Sequence, residues 1–328
     1  MINNNFFLFY RLKEFIYIKY KYHFVMKKSK RFKIIVVIIF LSILSACKNN
    51  EPDITLEKLK NTVEIELDAM DGVFAYTFLD LSNPKNVIEI NTDEKFHAAS
   101  TMKVPVMIEI YKQAANGKFN LSDSILVKNE FKSIVDGSTY KMDISDDSGE
   151  KLYDQINKNA TIYDLMSDMI TVSSNLATNI LIDLVGAKSV TASMRDLGAD
   201  NIEVLRGVED IKAYELGLSN STTAKDLMII MESIAHGKAG SAEDCKQMID
   251  ILKDQHFNDM IPKYFPKSIE VAHKTGSITG VHHDSGIVYL PDGRSFVLVI
   301  LSKELKEFDK ETDAMAKLAK VTFDFMLQ

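Results

Sequence analysis

Strand-like runs confined to the two ends of the chain, helical periodicity between them, and turn chemistry joining the strands predict an α+β fold. In it an antiparallel sheet domain, built from both chain ends, receives an inserted all-helical domain. Such an arrangement leaves a cleft between the two parts, a usual place for a small-molecule site. The 328 residues, 46% hydrophobic and 26% charged, supply ample material for the core this requires.

The chain opens on a segment that reads as an address, not as fold. Met26-Lys27-Lys28-Ser29-Lys30-Arg31 is a basic stretch, 34–44 an apolar run too short to span a bilayer comfortably, and Leu44-Ser45-Ala46-Cys47 a small-residue box before a cysteine. The box resembles a bacterial lipoprotein signal, which implies cleavage before Cys47, lipidation of its thiol and anchoring to a membrane without spanning it. An uncleaved membrane anchor is the alternative. Residues 1–25 precede a complete signal, so Met26 is the expected true start. Residues 1–46 hold nine basic residues against Glu14 alone, so the remainder carries 30 basic and 45 acidic residues, a net charge of -15. A body that acidic disfavours a nucleic-acid partner. Two cysteines exclude a disulfide-stapled scaffold and a zinc ribbon; Cys245 reads as a small buried apolar residue.

In order along the body, Leu56, Leu59, Val63, Ile65 and Leu67 recur at helical spacing. Runs at 73–81 and 87–90 are β-rich, and Asn83-Pro84 between them makes a hairpin turn. Helical patterns follow at 101–115, 161–170, 175–185, 188–197, 223–236 and 242–253. Strand signals return at 269–274, 285–290 and 296–301, with Pro291-Asp292-Gly293 turning the last two, and 314–326 is a final helix. The expected division is a signal over 1–46 and one domain over 47–328. Within it, 54–98 and 259–328 form the sheet part and 99–258 the helical part. The polar stretch 143–158 reads as a solvated surface loop.

There is no Gly-x-Gly-x-x-Gly, Walker loop, Gly-x-Ser-x-Gly elbow or His-Glu-x-x-His. His282-His283 would face opposite sides of a strand, which makes a shared metal difficult, and read as surface or packing residues. What remains is a serine and lysine constellation. Ser100-Thr101-Met102-Lys103 opens a helix, placing hydroxyl and amine on one face within reach of each other. Four other Ser-x-x-Lys matches, at Ser45, Ser82, Ser138 and Ser148, open no apolar helix after a strand pair. Ser173-Ser174-Asn175 lies between two helical runs, where an ordinary helix cap is the plain alternative. Lys274-Thr275-Gly276-Ser277 closes the 269–274 strand; its glycine admits close approach to the backbone, and Lys274 and Thr275 offer donors to a carboxylate.

Together, in this order, the three motifs resemble those of the class A β-lactamases and of the penicillin-binding peptidases that share their fold. The flanking Lys103-Val104-Pro105-Val106, Ile170-Thr171-Val172 and Asn179-Ile180-Leu181 look like that family too. The resemblance implies Ser100 as acylated nucleophile with Lys103 in its proton network, and Ser173 as relay to the leaving nitrogen. Asn175 and Lys274-Thr275-Gly276 would position the substrate, and the N–H groups of Ser100 and Ser277 would form an oxyanion hole. It implies no metal or organic cofactor, a β-lactam or peptidoglycan-like small-molecule substrate, and a monomer. Three departures matter. Ser174 stands where the family has an aspartate, and the 73-residue interval from Ser100 to Ser173 is long, suggesting an enlarged flap over 128–158. The loop expected to supply a deacylating glutamate reads Arg206-Gly207-Val208-Glu209-Asp210-Ile211, with Glu209 best spaced but without the usual leucine and asparagine after it. The reading is therefore a lipid-anchored serine β-lactamase. The alternatives are a slowly deacylating peptidoglycan peptidase and a non-catalytic cell-wall-binding lipoprotein.

Overall fold

The computed structural model describes residues 55–328; the expected signal segment, start at Met26 and lipidation at Cys47 lie outside them. Helix α1 (Leu56–Asp68) is capped by the Thr55 hydroxyl, which accepts from Lys58 N, and buries the stripe Leu59, Val63 and Leu67. Strands β1 (Val73–Asp80) and β2 (Val87–Ile90) form the expected hairpin, and β3 (Phe96–His97) leads through a 3-10 turn at Ala99–Met102 into α2 (Lys103–Ala115). The inserted part continues with β4 (Ser124–Leu126), β5 (Phe131–Lys132), β6 (Thr139–Tyr140) and β7 (Asn159–Thr161). Helices α3 (Ile162–Thr171), α4 (Asn175–Val185), α5 (Ala187–Asp196) and the short α6 (Ile211–Glu215) come next. After β8 (Ser221–Thr222) come α7 (Ala224–Ala235), α8 (Ala242–Lys253), β9 (Glu270–Ile278), β10 (Val281–Tyr289), β11 (Ser295–Lys303) and α9 (Phe308–Met326).

The main sheet runs β2-β1-β11-β10-β9, antiparallel throughout, so the first and last strands of the body meet at its middle, with Val73 opposite Lys303 and Asp80 opposite Phe296. The expected α+β class and its assembly from both chain ends hold. Central β11 is buried on both faces, which explains its unbroken apolar run Phe296–Leu301. Phe296, Leu298 and Ile300 pack with Phe323 of α9 and Leu59 of α1, whereas Val297, Val299 and Leu301 pack with Leu227 and Met231 of α7 and the helical part.

Three details depart from the sequence reading. The inserted part carries two short ladders, β4 with β7 and β5 with β6, made of two- and three-residue strands too brief to leave a periodic signal. Strand β9 runs to Ile278, so Lys274-Thr275-Gly276-Ser277 lies inside it and not at a strand end; Gly276 pairs with His283 on β10. His282 and His283 are both buried, which is the packing alternative of the sequence reading. The His283 Nε2–H donates to His97 O at 2.8 Å and burial pushes the ring down to about 4, so it packs as the neutral form. Finally, the 143–158 stretch is only partly solvated: Asp147 and Leu152 are buried.

Candidate active site

The Ser100 corner is built by close approach. The β3–β8 ladder pairs His97 with Ser221, and Ala98 N donates to Asn220 O, fixing the chain just before Ser100. Ala99 then sits at φ 44°, a left-handed conformation that costs an L-residue energy, held by its N–H donating to His97 Nδ1 at 3.0 Å. Strand β9 crosses directly over this turn. A Cβ on Gly276 would lie 2.9 Å from Ser100 N and 3.0 Å from Thr101 N, so only glycine lets the strand seat there.

Beneath Ser100, two lysines share one hydroxyl. Lys103 Nζ donates to Ser173 O (2.7 Å), Ser173 Oγ (3.1 Å) and Asn175 Oδ1 (2.9 Å). Lys274 Nζ donates to the same Ser173 Oγ (3.1 Å) and to Thr275 O (2.9 Å). None of these bonds reaches Ser100 Oγ: the expected direct pairing of hydroxyl and amine is absent, and Lys103 Nζ is held instead by the Ser173–Asn175 corner. Both side chains are fully buried. Desolvation brings Lys103 down to about 7, against the opposing pull of Asp147 and Glu209, and holds Lys274 well below the ordinary lysine range, where the neighbouring Lys103 charge adds to the effect. Ser173, like Ala99, has positive φ, at 58°.

Across the cleft, Glu209 is the third strained position, at φ 60°. Both neighbours of Glu209 are clamped. Asn179 Oδ1 accepts from Val208 N (2.6 Å) and its amide donates to Val208 O (3.0 Å), while a Cβ on Gly207 would collide with the Asn179 side chain. Asp210 accepts from Ser133 Oγ (2.9 Å), Ile134 N (2.9 Å) and Ala213 N (3.2 Å), tying the 128–158 segment to this loop and capping α6. Between them, Glu209 Oε1 accepts from Asn175 Nδ2 at 3.5 Å. Burial, then Asp146, pushes its carboxyl above the ordinary glutamate range. Arg206 donates from Nε to Leu218 O (2.8 Å) and from Nη1 to Gly207 O (2.9 Å); it makes no ion pair with Glu209, although its charge opposes the upward shift of that carboxyl.

Ser100, Asn175, Glu209 and Ser277 line one cleft of about 520 Å³, with His97, Asp146, Ile211 and Tyr214 at its walls. Lys103, Ser173 and Lys274 lie in the hydrogen-bonded layer joined to it through Asn175, and Thr275 and Gly276 precede Ser277 on β9. Every motif residue of the body is thus gathered at one place. Sequence reasoning missed Asn179, Asp210 and Asp147. Asn179 follows Asn175 by one helical turn and faces the same side, a signal that was present; Asp147 and Asp210 act through distant chain segments and leave none. Cys245 is buried, and burial raises its thiol pKa.

Residues 57–326 match the model of the β-lactamase enzyme family. β-Lactamase PSE-4 of Pseudomonas aeruginosa is 24% identical over 282 residues, spanning 82% of this chain and 89% of that protein. A β-lactamase of Bacillus amyloliquefaciens is 27% identical over 286 residues, spanning 86% and 85%. Among solved structures, a β-lactamase from Sphaerobacter thermophilus superposes with a TM-score of 0.70 at 26% identity, over 84% of this chain and 99% of the other. The TLA-1 extended-spectrum β-lactamase shares the fold, with a TM-score of 0.72 at 18% identity over 83% of this chain and 99% of the other. The chain belongs to the β-lactamase enzyme family.

Proposed function

We propose that this protein is a class A-type serine β-lactamase that opens β-lactams through an acyl-enzyme on Ser100. One observation carries the reading: Ser100 lines a cleft with Glu209 and Asn175, above a buried pair of depressed lysines that share Ser173 Oγ. Ser100 Oγ attacks the lactam carbonyl, its proton passing to the free-base Lys103, and the developing oxyanion sits between the N–H groups of Ser100 and Ser277. As the C–N bond breaks, Ser173 hands a proton from the lysine pair to the ring nitrogen. Thr275 and Lys274 face the substrate carboxylate, and Asn175 its side-chain amide. Glu209, held at the cleft, then takes a proton from the water that hydrolyses the ester. These steps use protein groups alone.

The acylated protein is proposed to be exported and held at a membrane surface through lipid on Cys47, acting as a monomer on a small-molecule substrate. Clickable-palmitate labelling that is lost in Cys47→Ala supports the anchor; equal labelling refutes it.

An intact-mass time course with a penicillin and a cephalosporin tests the chemistry. A transient adduct with hydrolysed product, absent in Ser100→Ala, is expected. An adduct lasting hours assigns a slowly deacylating peptidase instead, and no adduct assigns a binding protein.

A further inference from the structure

The corner that organises the lysines depends on a residue far from it in sequence. The 143–158 stretch folds back so that Asp147, 4% exposed, reaches the N-terminus of α4. Its Oδ2 accepts from Leu176 N (2.7 Å), Tyr153 OH (3.2 Å) and Ser174 Oγ (3.4 Å); its Oδ1 accepts from Asn175 N (2.9 Å) and Gly149 N (2.7 Å). Ser174 Oγ takes the next free amide, Ala177 N, at 3.2 Å. The first three N–H groups of the helix are therefore satisfied, two of them by a carboxylate imported from the flap. The seat is shaped for it. A Cβ on Gly149 would lie 2.4 Å from Ser174 Cβ and 2.5 Å from Ser174 Oγ, so only glycine at 149 lets the loop seat against Ser174.

We infer that Asp147 is the positioning residue of the Ser173-Ser174-Asn175 corner: it caps α4 from the flap and so sets Ser173 Oγ and Asn175 Oδ1 around Lys103 Nζ. The inference rests on the acyl-transfer reading above. Asn175 is bonded to Asp147 through its backbone and to Lys103 through its side chain, so a shift of the α4 terminus displaces an acceptor of the amine directly. The adjacent Asp146 accepts from Asn175 Nδ2 through its carbonyl at 3.2 Å, fixing the other half of that amide. Three charged groups face Lys103: Asp147 from the flap, Glu209 from the loop before α6, and Lys274 from β9. Removing the first withdraws a charge that favours the ammonium.

The test measures Ser100 acylation by a fluorescent penicillin across pH, with amide exchange at Asn175 and Leu176 as a readout that needs no turnover. D147N is expected to acylate at least about tenfold more slowly, the scale of a sub-ångström misplacement. Its acid limb should lie at lower pH than the wild type's, and both amides should exchange faster. S174D alone is expected to slow acylation through repulsion from Asp147, whose Oδ2 lies 3.4 Å from Ser174 Oγ. D147A/S174D should acylate faster than D147A, because a carboxylate at the cap position takes over α4 once the flap is released. D154N, an exposed acid of the same segment, should match wild type. D147N with wild-type rate, pH profile and exchange, or a double variant no faster than D147A, overturns the inference and leaves the acyl-transfer reading standing. Should D147A fail to fold, the D147N profile and exchange decide. A wild type that never labels overturns the acyl-transfer reading, and the inference with it.

Discussion

A lysine placed wholly out of water, with no carboxylate bonded to its ammonium, is costly to charge, and Lys103 is in that position. Its pKa of about 7 against 10.5 unfolded makes it a base at neutral pH, which a surface lysine is not. Acylation should therefore fall as pH drops through about 7, in pre-steady-state measurements with excess substrate. The same depression has a stability consequence. Between pH 7 and 10.5 the unfolded chain binds a proton at this lysine that the native chain lacks, so native stability rises with pH across that window. Urea titrations of wild type and Lys103→Met should show the difference moving in the wild type's favour from pH 7 to pH 10; a pH-independent difference would mean an ordinary lysine. Lys103→Met should also acylate slower by two or more orders of magnitude, the range of a general base. In the proposed mechanism Glu209 works at the next step. Its carboxyl, raised by burial and Asp146, must ionise to activate water, so deacylation has its own acid limb. Glu209→Gln should acylate near normally and then accumulate adduct, with turnover down roughly a hundredfold. Unchanged cephalosporin turnover by that variant would assign the base elsewhere.

Elements position these residues through backbone joints, and the joints make separate demands. On Gly276→Ala the new methyl meets backbone atoms of the nucleophile turn, which cannot swing aside, so β9 must move off Ser100. We expect a folded protein whose acylation is impaired far more than its binding of an unreactive carboxylate analogue. Equal losses in both would place the defect in general folding. Asp210→Ala is expected to free the flap from the Glu209 loop. It leaves Ser133 Oγ, Ile134 N and Ala213 N short of an acceptor and should lower stability by about 1–3 kcal/mol. Proteolysis within 131–140 should speed up in that variant; wild-type protection there would refute the joint. These joints also mark what the sequence showed. The three motifs were legible because each packs its reactive groups within four residues, a spacing that helix and strand geometry convert directly into proximity. Asp147 was not, since a charge cluster reads as solvated until a distant helix terminus is found to need its carboxylate. Nor was the diversion of Lys103 from Ser100 to the Ser173–Asn175 corner, which depends on where α4 begins.

At the scale of the molecule, the assembly from both chain ends was legible for a physical reason: strand patterns occur at the two extremes with helices between, and a sheet needs neighbours, so the extremes must pair. The short ladders β4–β7 and β5–β6 were not, because strands of two or three residues show no period. The sheet formed in this way separates two apolar clusters that share β11 alternately. Leu298 faces α1 and α9, away from the cleft, opposite Phe78 and Gly286 in the two flanking strands. Val299, one residue on, faces α7. Fold stability and catalytic geometry should thus be separable on a single strand. Leu298→Ala removes a fully buried side chain and is expected to cost about 2–5 kcal/mol, the range for such cavities. Well below its midpoint the variant should keep wild-type acylation and deacylation rates, because nothing it touches reaches Ser100, Ser173 or Glu209. The central strand is common to both clusters, so loss of helical circular dichroism and loss of penicillin labelling should coincide in urea, each shifted equally by the substitution. Labelling that disappears while α9 remains helical would show that the cleft side unfolds on its own, and β11 would then be a boundary between two cores instead of their joint.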